Sequence, residues 1–181
     1  MRPRNRPDLR MQPSAPTEAP AVPATPAQLA VVDATIARLV ALPGALLPIL
    51  HGIQGELGFV PPAALERIAV ALNLTRAEVF GVLTFYHDFR QAPPGRTVLK
   101  LCRAEACQAV GCERLEQRLG EVHGAVMGTT TADGALTVEP VYCLGNCALG
   151  PSALVDGRLH GRVDADGLDR LVAAARQKVA R

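Results

Sequence analysis

The chain has 181 residues, enough for one ordinary domain or two small ones, and its 49% hydrophobic share allows a real core. Aromatics are only 3%, with no tryptophan, so aliphatic side chains must fill that core. A net charge of +2 on 20% charged residues is too balanced for a nucleic-acid surface, and no apolar run of about 18 residues exists to cross a membrane.

The first 26 residues, MRPRNRPDLRMQPSAPTEAPAVPATP, begin basic and become Pro/Ala-rich, without the continuous apolar segment of a secretory signal. A cytoplasmic, reducing compartment is the expectation. There, clustered cysteines are metal ligands or catalytic thiols more often than disulfides. Residues 1–25 have too few large apolar groups to offset the entropy of ordering and read as a flexible tail.

Order begins at TPAQLAVVDATIARLV. Thr25 can cap a helix, Pro26 suits its first position, Gln28 completes a capping box, and Leu29, Val32, Ile36 and Leu39 recur at helical spacing. PGALLPILHGIQGELGF reads as a second helix if Pro48 lies in its first turn, with Gly58 as C-cap. PPAALERIAVALN is a third, begun by proline and closed by Asn73. TRAEVFGVLTFY is a fourth, with Thr75 and Glu78 as a second capping box. These four form a small helical domain over 26–90, and QAPPGR leads out of it.

From residue 96 the pattern changes. TVLKLC is a strand ending on Cys102, ACQAVGCERLEQRLG a single helix with Leu115 and Leu119 on one side, and GALTVEPVYC an extended stretch ending on Cys143. SALVDGRLHGRV is a hairpin, since Asp156-Gly157 is a type I′ turn signal. Asp164 caps a final helix whose cations lie in the last turn, where the helix dipole favours them. The fold class is α+β: a small N-terminal helical bundle followed by a thioredoxin-like α/β domain over 96–181.

Four of the five cysteines form two pairs, Cys102-x4-Cys107 and Cys143-x3-Cys147, each beginning where a strand ends. Neither pair has the C-x-x-C spacing of a thiol redox site. Thiolates converging from two loops suit a metal, and both Zn²⁺ and [2Fe–2S] accept four cysteines. Gly145, Gly150 and Ala148 leave the backbone free to turn N–H groups towards sulfur, and Arg103 is a cation close in sequence. Cys112 lies five residues beyond Cys107. On a continuous helix that is roughly 140° around the axis, so Cys112 reads as a small buried apolar residue.

LLPILHGIQGELGFVP, AEVFGVLTFYHDFR, CRAEAC and CLGNCALGP together resemble the 24-kDa-type [2Fe–2S] subunit of respiratory complex I. FYHDFR and CRAEACQAVGC are more similar to the gamma subunit of NAD-dependent formate dehydrogenases. The resemblance covers about 27–180. It implies a helical domain before a thioredoxin-like domain with one [2Fe–2S] cluster, held by residues matching Cys102, Cys107, Cys143 and Cys147. It also implies a partner subunit binding FMN and NAD, and a larger catalytic subunit with a molybdenum or tungsten cofactor and iron–sulfur centres. Formate would be oxidised there and its electrons passed towards FMN and NAD⁺. The chain itself would be a non-catalytic electron-transfer subunit of an oxidoreductase. The equivalent subunit of complex I or of an NAD-linked hydrogenase diaphorase is the alternative, and a zinc adaptor with four cysteine ligands is the non-redox one.

Nothing in the sequence resembles an acid, base or nucleophile set or a nucleotide-binding fingerprint. His51 reads as packed or at an interface, His87 as a subunit contact, and His123 and His160 as surface positions on a loop and a hairpin.

Overall fold

The computed structural model describes residues 23–178; the N-terminal tail up to residue 22 and the last three residues lie outside the described residues. Helix α1 spans Pro26–Leu39, α2 Leu46–Leu57, α3 Pro62–Leu72 and α4 Arg76–Phe85. Both expected capping boxes are present: Thr25 with Gln28 and Thr75 with Glu78 each exchange side-chain and backbone hydrogen bonds. Such a cap stabilises a helix by about 1 kcal/mol. Pro48 falls in the first turn of α2, while Gly58 and Asn73 close α2 and α3 in the left-handed conformation. One apolar cluster joins the four helices, built on Val32, Ile49, Leu50, Ile53, Ile68 and Leu83.

Strand β1 runs Thr97–Cys102, followed by helices α5 (Glu105–Ala109) and α6 (Cys112–His123) and strand β2 (Leu136–Val141). A hairpin of β3 (Ala153–Val155) and β4 (Arg158–His160) precedes helix α7 (Ala165–Gln177). The sheet order is β2-β1-β3-β4, with β1 parallel to β2 and antiparallel to β3. Asp156 and Gly157 both have positive φ, as a type I′ turn requires. Alternation along β1 buries Leu99 and Leu101 against Leu115 and Leu119 of α6 and Leu168 and Val172 of α7. The architecture is the mixed helix-and-sheet one expected.

The single helix expected over 106–120 is broken. α5 ends after Ala109 and α6 begins at Cys112, because Gly111 adopts φ +94°, which few residues with a Cβ tolerate.

Lys100, on the opposite face of β1 from Leu99 and Leu101, meets Asp88 at 2.7 Å and Glu139 of β2 at 3.5 Å. Arg90 clasps Glu139 in a two-point ion pair, both side chains about one-fifth exposed. The Arg90 amide donates to Gln54 Oε1 at 2.7 Å and its carbonyl accepts from Val60, so the guanidinium is fixed to the helices. These ion pairs span the junction between helices and sheet.

His123 is a correction. It is the last residue of α6, its side chain only 12% exposed, with Nε2 at 2.7 Å from Asp169 Oδ1 on α7. Arg118 also donates to both Asp169 oxygens, at 2.9 and 2.6 Å. Arg118, then His123, holds the Asp169 carboxyl well below the usual carboxylate range. A group depressed in this way contributes stability that is present above its unfolded value, about 3.9, and lost as pH falls from there towards the folded value. Asp169→Asn should therefore flatten the acid limb of the thermal-unfolding midpoint below about pH 4. Parallel acid limbs in the two proteins would show that the network contributes nothing.

Candidate metal centre

Two parallel neighbours, β1 and β2, end side by side, with Cys102 opposite Val141, so the segments that follow them emerge at one edge of the sheet. Cys102 is the last residue of β1, and its amide donates to Ser152 O at 3.0 Å. Cys107 lies on α5. Cys143 stands two residues past the end of β2, not on it as expected, and Cys147 opens a 3-10 turn, Cys147–Leu149. The Gly150–Pro151 bond that follows is cis.

The four thiols form an inner and an outer pair. Cys102 and Cys107 are 3% and 2% exposed and lie in one buried cluster, whereas Cys143 and Cys147 are open to solvent with sulfurs 3.9 Å apart. The segment after Cys147 folds back over Cys107: a Cβ on Gly150 would sit 3.5 Å from Cys107 Sγ. Cys102 also bears electrostatically on Cys147. Among the described residues no three ligating side chains form one ready-made metal shell.

A tetrahedral centre with metal–sulfur bonds of about 2.3 Å holds its sulfurs about 3.8 Å apart, the separation seen within the outer pair. A single zinc needs that separation among all four sulfurs; a two-iron unit needs it only within each pair. Burial, then the neighbouring Cys102 thiol, pushes the Cys107 thiol up, and the neighbouring Cys143 pushes up Cys147.

The backbone turns N–H groups towards sulfur, though not quite as expected. The Gly145 amide donates to Cys143 Sγ at 3.3 Å, whereas the Gly150 amide is spent on Cys147 O. Cys143 itself has φ +122°, a left-handed conformation that costs a non-glycine residue about 1–3 kcal/mol. Arg103 is not a free cation, because Glu116 of α6 pairs with it.

Cys112 is fully buried, as a packing role requires, but it is not kept apart. The 140° separation assumed an unbroken helix, and the kink at Gly111 places Cys112 in one apolar cluster with Cys102 and Cys107, closed by Ala104, Val141 and Leu144.

Spacing and composition do not mark three further residues at this edge. The Ser152 hydroxyl receives Asn146 Nδ2 at 3.1 Å and so braces the outer loop. Gly161, just after β4, lies so close that a Cβ there would be 2.7 Å from Asn146 Nδ2 and 2.9 Å from Leu149 Cβ. These contacts join segments distant in sequence, and only the glycine in LHGRV hints at one of them. His51 is exposed and packs on Phe89 with ring centroids 4.8 Å apart; His87 is exposed.

The family described as thioredoxin-like [2Fe–2S] ferredoxin matches residues 32–176. The second form of the NADH-quinone oxidoreductase E subunit in Rhizobium meliloti is 37% identical over 145 residues, covering 80% of this chain and 86% of that protein. The NADH-quinone oxidoreductase E subunit of Pseudomonas aeruginosa is 36% identical over 122 residues, covering 67% and 74% respectively. Among solved structures, an NAD⁺-reducing [NiFe]-hydrogenase in its air-oxidised state superposes with a TM-score of 0.62 at 30% identity. The match covers 77% of this chain but only 24% of the hydrogenase chain.

Proposed function

Because the chain belongs to the thioredoxin-like [2Fe–2S] ferredoxin family, we propose that it is the electron-transfer subunit beside an FMN- and NAD-binding flavoprotein in an NAD-dependent formate dehydrogenase. Its cofactor is a [2Fe–2S] cluster, not the zinc of an adaptor protein. When bound, the cluster supplies single-electron transfer.

We assign Cys102, Cys107, Cys143 and Cys147 to hold it. The observation that carries this assignment is the pairing of thiols at the ends of two adjacent parallel strands. The chain's own residues do the rest. Cys102 and Cys107 keep water from the inner side, while the Gly145 amide places a positive dipole against sulfur, the kind of contact that sets a cluster's potential. Tyr142, Val110 and Leu149 are 76%, 54% and 40% exposed near the outer thiols, apolar surface suited to a protein partner. FMN, NAD and the molybdenum or tungsten cofactor belong to partner subunits in this reading. Residues 26–90 and 96–181 are its two domains, and the location is cytoplasmic. Among the described residues no helix is long and apolar enough to cross a membrane.

The assignment to formate rests on FYHDFR and CRAEACQAVGC. The relatives favour a second reading, the equivalent subunit of an NADH–quinone oxidoreductase or of an NAD⁺-reducing hydrogenase. Purification of the native complex through a tag on this chain separates them. Molybdenum or tungsten with formate-dependent NAD⁺ reduction is the expected result. Nickel with hydrogen-dependent reduction, or a membrane arm with quinone reduction, would replace formate by the corresponding alternative.

A further inference from the structure

Two of the four assigned ligands share their buried site with a thiol that the assignment leaves unused. Cys102, Cys107 and Cys112 are all nearly or fully inaccessible and form one cluster, and Cys112 interacts electrostatically with both of the others. Ala104, Val141 and Leu144 pack against this cluster, so Cys112 shares an apolar pocket with two sulfurs.

The segment joining Cys107 to Cys112 is short and jointed at a glycine. α5 has five residues, and neither α5 nor α6 has a side-chain hydrogen bond at its N-cap among the described residues. They meet at Gly111, whose φ of +94° leaves a glycine as the joint. The Gly111 amide bonds Gln108 O at 2.9 Å and Gln108 Nε2 bonds Arg103 O at 2.7 Å, local contacts that can be remade after a small shift. A donor is also in reserve: Arg103 Nε is buried with no hydrogen-bond partner among the described residues, and the Arg103 charge acts on Cys112. A metal-bound sulfur at Cys112 would give that N–H an acceptor.

We propose that Cys112 is a reserve ligand of the inner pair, whose sulfur takes the iron position of Cys107 when the Cys107 thiol is missing. The exchange forms one iron–sulfur bond in place of the absent one. The Cys112 proton passes to solvent and no electron moves. The outer pair has no such cover, since the five cysteines are the three buried ones together with Cys143 and Cys147.

The proposal rests on the four-ligand assignment, and the experiment separates the two. Full-length wild type, Cys112→Ala, Cys107→Ala, Cys107→Ala/Cys112→Ala and Cys143→Ala are compared for iron, acid-labile sulfide and the electron paramagnetic resonance spectrum after dithionite reduction. Cys112→Ala should match wild type. Cys107→Ala should keep most of its iron with shifted g values, and the double variant should fall about tenfold or more below it. Loss of iron in Cys107→Ala as complete as in the double variant would overturn the proposal. Full iron and an unaltered spectrum in Cys143→Ala would overturn the ligand assignment instead. Circular dichroism reports whether each variant folds, and Cys107→Ser, close to cysteine in size, repeats the comparison should the alanine variant unfold.

Discussion

Cys143→Ala should yield a folded protein without its cluster: iron and labile sulfide should drop to background and the visible absorption disappear, while the far-ultraviolet circular dichroism stays. The loss is complete because the outer pair has no other thiol beside it. The fold survives because neither the cluster around Ile49, Leu50 and Ile68 nor the one around Leu99, Leu136 and Leu168 includes a cysteine. This differs from small zinc domains, where metal-binding energy is folding energy. Cys143→Gly sharpens the test. It discards the same thiol but relieves the left-handed strain at φ +122°, so its unfolding free energy should exceed that of Cys143→Ala by about 1 kcal/mol. Retention of iron in either variant would remove Cys143 from the site. Equal stability of the two would remove the strain.

Gly161→Ala should damage the same loop without touching a thiol. The added methyl would meet Asn146 Nδ2 at 2.7 Å, Leu149 Cβ at 2.9 Å and Leu149 O at 3.0 Å. Backbone bonds clamp the chain there, from Arg162 N to Leu149 O at 2.6 Å and from Val163 N to Pro151 O at 2.9 Å. A side chain could rotate away, but a carbonyl fixed in a backbone bond cannot. Overpacking of this kind costs about 1–3 kcal/mol, read as a lower denaturation midpoint. The displaced turn carries Cys147, so iron should also pass to a chelator about 10–100-fold faster, the scale of losing a residue that orients a ligand. Wild-type chelation kinetics in a destabilised Gly161→Ala would separate the packing of this loop from its hold on metal.

Features set by local chemistry were legible in the sequence. Thr25 with Gln28, Thr75 with Glu78 and Asp156-Gly157 act within a few residues, and each appears where the sequence puts it. Gly111 was not legible. A glycine inside a helical pattern is tolerated at about 1 kcal/mol, and only the pull of Cys112 into a pocket shared with β1 and β2 makes a break preferable. The site was legible in composition but not in its asymmetry. Spacing marks four thiols, but which pair is buried depends on how the 147–152 segment lies over α5. His123 was misplaced for the same reason: its partner, Asp169, is on another helix.

The helices and the sheet keep separate apolar clusters, and charged groups bridge them: Asp88 and Arg90 on one side, Lys100 and Glu139 on the other. Dissolved ions act on contacts of that kind and leave aliphatic packing largely intact, with a reach of about 8 Å at physiological ionic strength. The salt content of the medium thus acts on this seam, as on the other ion pairs of the surface. Glu139 lies on β2, the strand that leads to Cys143, so the seam and the outer sulfurs share one stretch of backbone.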